Sequence, residues 1–151
     1  TGLGSAWHLP DSALPTLDAS LRAAGEVQAV RRRVWDRYRT ELSSWADSVG
    51  ARLPEVPADV EHPAHIFWIR LPDGWDRDAI AAVCRGQEVE VARHFGALPA
   101  SPYGRTIAHH EDACPVAQRF AEQLLRLPLH HQLTDADVDR VLEVITALPH
   151  A

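Results

Sequence analysis

The chain has 151 residues, 46% of them apolar and 24% charged, and a net charge of −6. That is the size and composition of one soluble globular domain with a real core. The acidic balance argues against a nucleic-acid or anionic-membrane partner, and no apolar run approaches the roughly 20 residues of a bilayer span.

The opening TGLGSAWHLPDS lacks the basic start and apolar centre of a secretory signal. Two cysteines, Cys84 and Cys114, are too few for a disulfide scaffold, so a reducing cytoplasm is the expected compartment. There is no Lys, Asn or Met, and all 15 basic residues are Arg. The joint loss of AT-rich codons points to a GC-rich genome. The missing Met suggests a piece of a longer polypeptide. The missing Lys means that this chain alone cannot form a Schiff base through a lysine side chain.

Residues 1–10 read as irregular, with Gly2, Gly4 and Pro10. Asp11 or Ser12 can cap a helix that tolerates Pro15 only in its first turn. Leu17, Leu21, Ala24, Val27, Val30, Val34, Tyr38, Leu42 and Trp45 then recur at helical steps, predicting a long amphipathic helix that ends near Gly50. Arg31-Arg32-Arg33 lies within it and reads as a solvated face rather than a basic patch. Asp36 and Glu41 stand at i,i+4 from Arg32 and Arg37.

Residues 51–64 carry three prolines and read as an extended linker. His65–Leu71 predicts a strand, Pro72-Asp73-Gly74 a turn, and Asp76 the cap of a helix stopped by Gly86. Val89–Phe95 predicts a second strand, with Val89, Val91, Arg93 and Phe95 on one side. Residues 96–113 read as a long loop. Pro115 opens a helix, Arg126–Leu129 a short extended segment, and Thr134 with Asp137 a relative of the capping box. Val138, Val141, Leu142 and Ile145 form the last buried stripe.

The expected fold is an α/β (α+β) sandwich: a long N-terminal helix, then a small mixed sheet covered by helices. The helical connection between the strands suits a right-handed crossover, and the short strand near 126–129 lies beside or between the other two.

Nine histidines invite a metal reading. His109-His110-Glu111-Asp112 with Cys114 is the densest cluster, but adjacent ligands do not make a shaped site and no HExxH or CxxC spacing occurs, so no metal is expected. His62 and His65 straddle Pro63 and suit a structural or interface role. His130-His131 reads as a turn. No serine lies in a GxSxG context, and GLGSA at 2–6 lacks the strand and final Gly of a phosphate loop. The better candidate is His94-Phe95, at a strand end feeding a long loop.

Six segments in order resemble one family. GSAWHLPDS at 4–12 resembles G-S-S-Y-L-x-S-D-L, and AGEVQAVRRRVWDRY at 24–38 resembles A-x-x-I-x-x-R-R-x-x-W-x-x-Y. HPAHIFWIRLPD at 62–73 resembles H-x-x-H-x-F-Y-I-x-L-P-D, and VARHFGALPASPYG at 91–104 echoes V-F-H-Y-x-P-L-H-x-x-P-x-G. CPVAQRFAEQLLRLPL at 114–129 and LTDADVDRVLEV at 133–144 complete the set. Together they resemble the C-terminal part of sugar-nucleotide aminotransferases of the DegT/DnrJ/StrS type, most of all the dTDP-4-amino-4,6-dideoxygalactose transaminases.

That resemblance implies the small C-terminal domain of a fold-type I pyridoxal-phosphate enzyme. Residues 1–50 would form an inter-domain and dimer-contact loop and helix, and 51–151 the small domain. The large cofactor-binding domain, with the Schiff-base lysine, would lie outside this chain, which has no catalytic residue of its own and is not expected to bind the cofactor alone. The implied partners are that large domain, a second subunit, a keto nucleotide-sugar and glutamate. Ser5, Ala6, Trp7 and His8 would approach the cofactor phosphate of the neighbouring subunit, and His94 and Phe95 the substrate. Three positions depart from the family pattern: Ala6 lacks a side-chain donor, Phe95 lacks the Tyr hydroxyl, and Pro99 stands where a second His is usual. These departures keep open a different reading, a stand-alone interaction or regulatory module. A small metal-binding protein is the third.

Overall fold

The computed structural model describes residues 10–107 and 114–148. A 3-10 turn at Asp11–Ala13 leads into α1 (Leu14–Glu41), followed by α2 (Ser43–Val49). The expected Asp11 or Ser12 cap does not form. Ala13 stands at the cap position without a side-chain bond, and its N–H is instead held by the Pro10 carbonyl at 2.8 Å. Pro15 removes one of the donors that a cap would have satisfied.

The single long helix expected to residue 50 is interrupted at Leu42, directly before the Ser43-Ser44 pair, where helical regularity is commonly lost. Gly50 closes α2 in the left-handed conformation, φ 77°, as its position predicted. The apolar stripe of α1 divides in two. Val34, Trp35 and Tyr38 are buried, whereas Leu14, Leu17 and Leu21 are 48%, 44% and 65% exposed. Only the second half of the helix joins the core.

Residues 51–66 contain no helix, as three prolines favour, and are broken by a turn in which the Val60 N–H donates to the Pro57 carbonyl at 3.1 Å. They do not hang free: Arg52 and Arg70 exchange two 2.9 Å backbone bonds, and Ala51, Leu53 and Ala64 are buried. β1 (Phe67–Arg70) follows, then the turn at Gly74, φ 87°, and α3 (Arg77–Gly86). Asp76 caps α3 as expected, accepting from the N–H groups of Asp78 and Ala79 at 2.9 and 3.0 Å. The helix stops at Gly86 as expected, but Gly86 does not take the left-handed conformation. Gly86 is the last helical residue, and Glu88 takes the positive φ of 61°.

β2 shrinks to Ala92–Arg93, against the predicted 89–95. The predicted loop after it contains a 3-10 turn at Leu98–Ala100 and a short helix, α4 (Pro102–Ile107). Pro99 and Pro102 preset the backbone of their first turns, and Ser101 Oγ accepts the N–H of Gly104 at 2.9 Å. α5 (Pro115–Gln123) ends sooner than its apolar pattern suggested. Leu124 and Leu125 belong to β3 (Leu124–Leu127), where pairing with β1 overrides helical spacing. α6 (Asp135–Thr146) begins with the expected box: Thr134 Oγ1 accepts from the Asp137 N–H, and Asp137 accepts from the Thr134 N–H.

The sheet order is β1–β3–β2, so the last strand in sequence is central. The expected mixed sheet is antiparallel at both pairings, because β3 inserts between β1 and β2, which run the same way without touching. One face carries Phe67, Ile69, Leu125 and Leu127 into a core with Val34, Tyr38, Leu42, Cys84, Val138, Leu142 and Ile145. Fully burying each such side chain contributes about 2 kcal/mol. Among the described residues no helix is long and apolar enough to cross a membrane.

Candidate functional site

The other sheet face is different in kind. Register places Trp68, Arg126 and Ala92 side by side across the three strands, and none of them is fully buried. Paired residues share a face, so this row lies opposite the Phe67–Leu127 row of the core. A cavity of about 360 Å³ opens over the end of the sheet where β1 begins and β3 ends. Its polar lining comes from His65, Glu90, Arg126 and His130.

Arg126 is the unusual member. It interrupts the apolar strand LLRL, and its Nε is buried without a hydrogen-bond partner. Glu90, two residues before the Ala92 that pairs with Arg126, does not close an ion pair with it. Leaving a buried donor unmatched costs about 1–3 kcal/mol.

The predicted pair His94-Phe95 follows β2 directly, with ring centroids 5.2 Å apart. His94 is half-buried and its Nδ1 is also enclosed without a partner. Phe95 is 78% exposed, and Leu98 and Tyr103, in the segment that follows, are exposed as well. Ser5, Ala6, Trp7 and His8 lie outside the described residues, as does the His109–Asp112 cluster. Among the described residues no three His, Cys, Asp or Glu side chains gather as a metal site would require.

His62 serves structure. Its ring lies 4.1 Å from that of Trp35, and its Nδ1 accepts the Ala64 N–H at 3.1 Å. Cys84 is fully buried, and that burial pushes its thiol pKa up, so it is a packing residue rather than a nucleophile. Arg119 and Gln123 of α5 hold Asp73 in the turn after β1, and their hydrogen bonds keep its carboxyl below the usual range. Phe120 of the same helix lies 5.1 Å from the Arg70 guanidinium. α5 therefore borders the open sheet face at the end away from the cavity.

Sequence reasoning passed over Arg126 and Glu90. The available signal was a charge inside an apolar strand.

Three relatives frame this geometry. A UDP-N-acetyl-3-dehydro-alpha-D-glucosamine 3-aminotransferase of Acidithiobacillus ferrooxidans is 29% identical over 120 residues, 80% of this chain and 30% of its own length. The aminotransferase TlmJ from Streptoalloteichus hindustanus superposes with a TM-score of 0.75 at 30% identity, covering 86% of this chain and 34% of TlmJ. A sugar aminotransferase of Streptococcus pneumoniae, solved in its PLP-form, shares the fold at a TM-score of 0.72 and 21% identity, over 85% of this chain and 32% of its own. The chain thus spans about a third of the length of these relatives. The family pattern itself matches residues 3–146, nearly the whole sequence and the whole of the fold described above. The chain belongs to the DegT/DnrJ/EryC1/StrS aminotransferase family.

Proposed function

We propose that the polypeptide carrying this chain is a pyridoxal-phosphate-dependent aminotransferase of the cytoplasm that moves an amino group, from glutamate, onto a keto nucleotide-sugar. The observation that supports this most is the family match across residues 3–146. Pyridoxal phosphate supplies the electron sink for such a transfer. Its covalent anchor is not built from this chain, which contains no lysine.

In this reading the chain divides near residue 50. The first part carries contacts to the large domain and to a second subunit, and the remainder is the small domain. Leu14, Leu17 and Leu21 offer an exposed apolar stripe suited to such contacts. Ser5, Ala6 and His8 approach the cofactor phosphate across the subunit boundary. His94 and Phe95, directly after β2, wall the substrate side, with the Phe95 ring open to solvent.

The departures at Ala6, Phe95 and Pro99 favour a second reading, a non-catalytic interaction module that keeps the fold. Incubating the full-length polypeptide with pyridoxal phosphate separates the two. The enzyme develops a visible absorption band that glutamate bleaches and a keto nucleotide-sugar restores. A polypeptide that develops no such band is not the enzyme.

A further inference from the structure

We infer that His62 works a pH-sensitive clasp that fastens the segment entering β1 to helix α1, closed while the imidazole is neutral and released when it takes up a proton. The fastened segment is 61–66, between the linker turn and β1. α1 ties it at three points. Gln28 Nε2 donates to the Pro63 carbonyl, Arg32 donates to the Glu61 carboxylate at 2.8 Å, and Trp35 Nε1 donates to the Ile66 carbonyl at 3.2 Å. Steps of four and three residues place these side chains on one face of the helix. The Trp35 ring also carries the His62 ring, with centroids 4.1 Å apart.

At the centre, His62 Nδ1 accepts the backbone N–H of Ala64, two residues on, at 3.1 Å. Asparagine or aspartate makes the same bond in an Asx turn, with a side-chain oxygen as the acceptor. The two acceptors differ in what a proton does to them. A carboxamide oxygen accepts at any ordinary pH. A ring nitrogen accepts only while it bears no hydrogen, and in the imidazolium both nitrogens are donors. Histidine is the side chain whose charge changes between about pH 5 and 8. The tie is therefore complete on the alkaline side of that range and lost toward the acid side.

Ala64 makes the loss consequential. It is 1% exposed, so water does not replace the acceptor while the segment stays in place. It also stands at φ 44°, in the left-handed region that a residue with a Cβ enters only when its surroundings hold it there. Protonation removes one of the bonds that hold it. The released ring has somewhere to turn. A hollow of about 430 Å³ beside His62 is bordered by Arg32 and Asp36 of α1 and by Asp59 and Glu61 of the preceding segment. Arg32 and Glu61 satisfy each other. Asp36 and Asp59 form no ion pair among the described residues, which leaves two anions to receive an imidazolium. His65, three residues on, lines the cavity at the sheet end instead.

The clasp stands whether or not the parent polypeptide transfers amino groups. Its test is hydrogen–deuterium exchange of the full-length polypeptide, resolved to single amides and corrected for the intrinsic pH dependence of exchange, at about pH 8 and about pH 5.5. The Ala64 N–H should lose protection roughly tenfold or more at the acid value. The N–H groups of Arg52 and Arg70, which bond only to each other's carbonyls, should keep theirs. His62→Asn supplies an acceptor that does not titrate and should protect Ala64 at both values. His62→Ala should leave it unprotected at both.

No acid response in the wild type overturns the clasp. So does the same acid response in His62→Asn, which gives the titration to another group. So does full protection of Ala64 in His62→Ala, and so does its loss at both values in His62→Asn, which denies the Asx-like bond. If His62→Ala does not fold, the comparison of wild type with His62→Asn decides alone.

Discussion

The hydroxyl of Tyr38 donates to the carbonyl of Pro128 at 3.0 Å, tying the buried half of α1 to the segment that leaves the central strand. Tyr38 is fully buried, and its ring meets Phe67 edge-on with centroids 5.3 Å apart. Tyr38→Phe keeps the ring and removes the bond, so it should cost about 1–2 kcal/mol in denaturant unfolding. Burial also raises the phenol pKa above its ordinary value of 10.0. The unfolded chain therefore releases this proton first. The contribution to stability is complete below about pH 10 and declines as the pH rises further. Tyr38→Phe should flatten that alkaline limb, and a limb of unchanged slope would count against this origin.

Arg37 joins α1 to α6. Its guanidinium lies 2.8 Å from Glu41, 2.7 Å from Asp139 and 3.7 Å from Asp135. The acids are largely exposed, so each pair is weak. A double-mutant cycle on Arg37 and Asp139 should give a coupling of about 0.5 kcal/mol that fades in molar salt. A coupling indifferent to salt would show that packing, not charge, holds the helices together.

The start of α6 depends on Thr134 and Asp137. Hydrogen bonds from the Thr134 side chain and backbone hold the Asp137 carboxyl below its ordinary 3.8. Its contribution is thus present above that pH and lost as the pH falls through the lower, folded value. Thr134→Ala should cost about 1 kcal/mol at neutral pH. It should also shift acid unfolding to higher pH, readable by circular dichroism across an acid titration.

The two halves of α1 should respond oppositely to truncation. Val34→Ala, in the core, should cost about 1–3 kcal/mol in the unfolding of this domain. Leu21→Ala, at 65% exposure, should cost less than about 0.5 kcal/mol. In the full-length polypeptide the same Leu21 change should weaken assembly, seen as earlier dissociation on dilution in sedimentation. Equal behaviour of Leu21→Ala and wild type there would leave the exposed stripe without a partner.

Much of this fold was legible where local chemistry decides. Asp76, Thr134 with Asp137, Gly50 and Gly74 each act within a few residues of themselves, and each performs as its type and spacing predict. The six ordered segments at 4–144 carried the family. What could not be read was set by distant partners. Leu124 and Leu125 continue a helical stripe in sequence, but β1 takes them into a strand. Arg32, expected to pair with Asp36, reaches Glu61 at 2.8 Å instead. Leu17 and Val34 look alike in the pattern and differ in burial, because the core extends along only part of α1. The cavity escaped for the same reason: Glu90 and Arg126 are 36 residues apart and line one space only because β2 pairs with β3.

That register also dictates an order of events during synthesis. β1 and β2 have no bonds to each other, and both wait for residues 124–127. While the ribosome is still adding α5, the emerged chain can have helices but no sheet, and Phe67 and Ile69 have no strand to pair against. The stretch from Leu124 onward is therefore not an appendage. It is the piece whose arrival turns a set of separate helices and extended segments into a single cooperative structure, and a product ending before Leu124 should be captured by chaperones or degraded rather than accumulate folded.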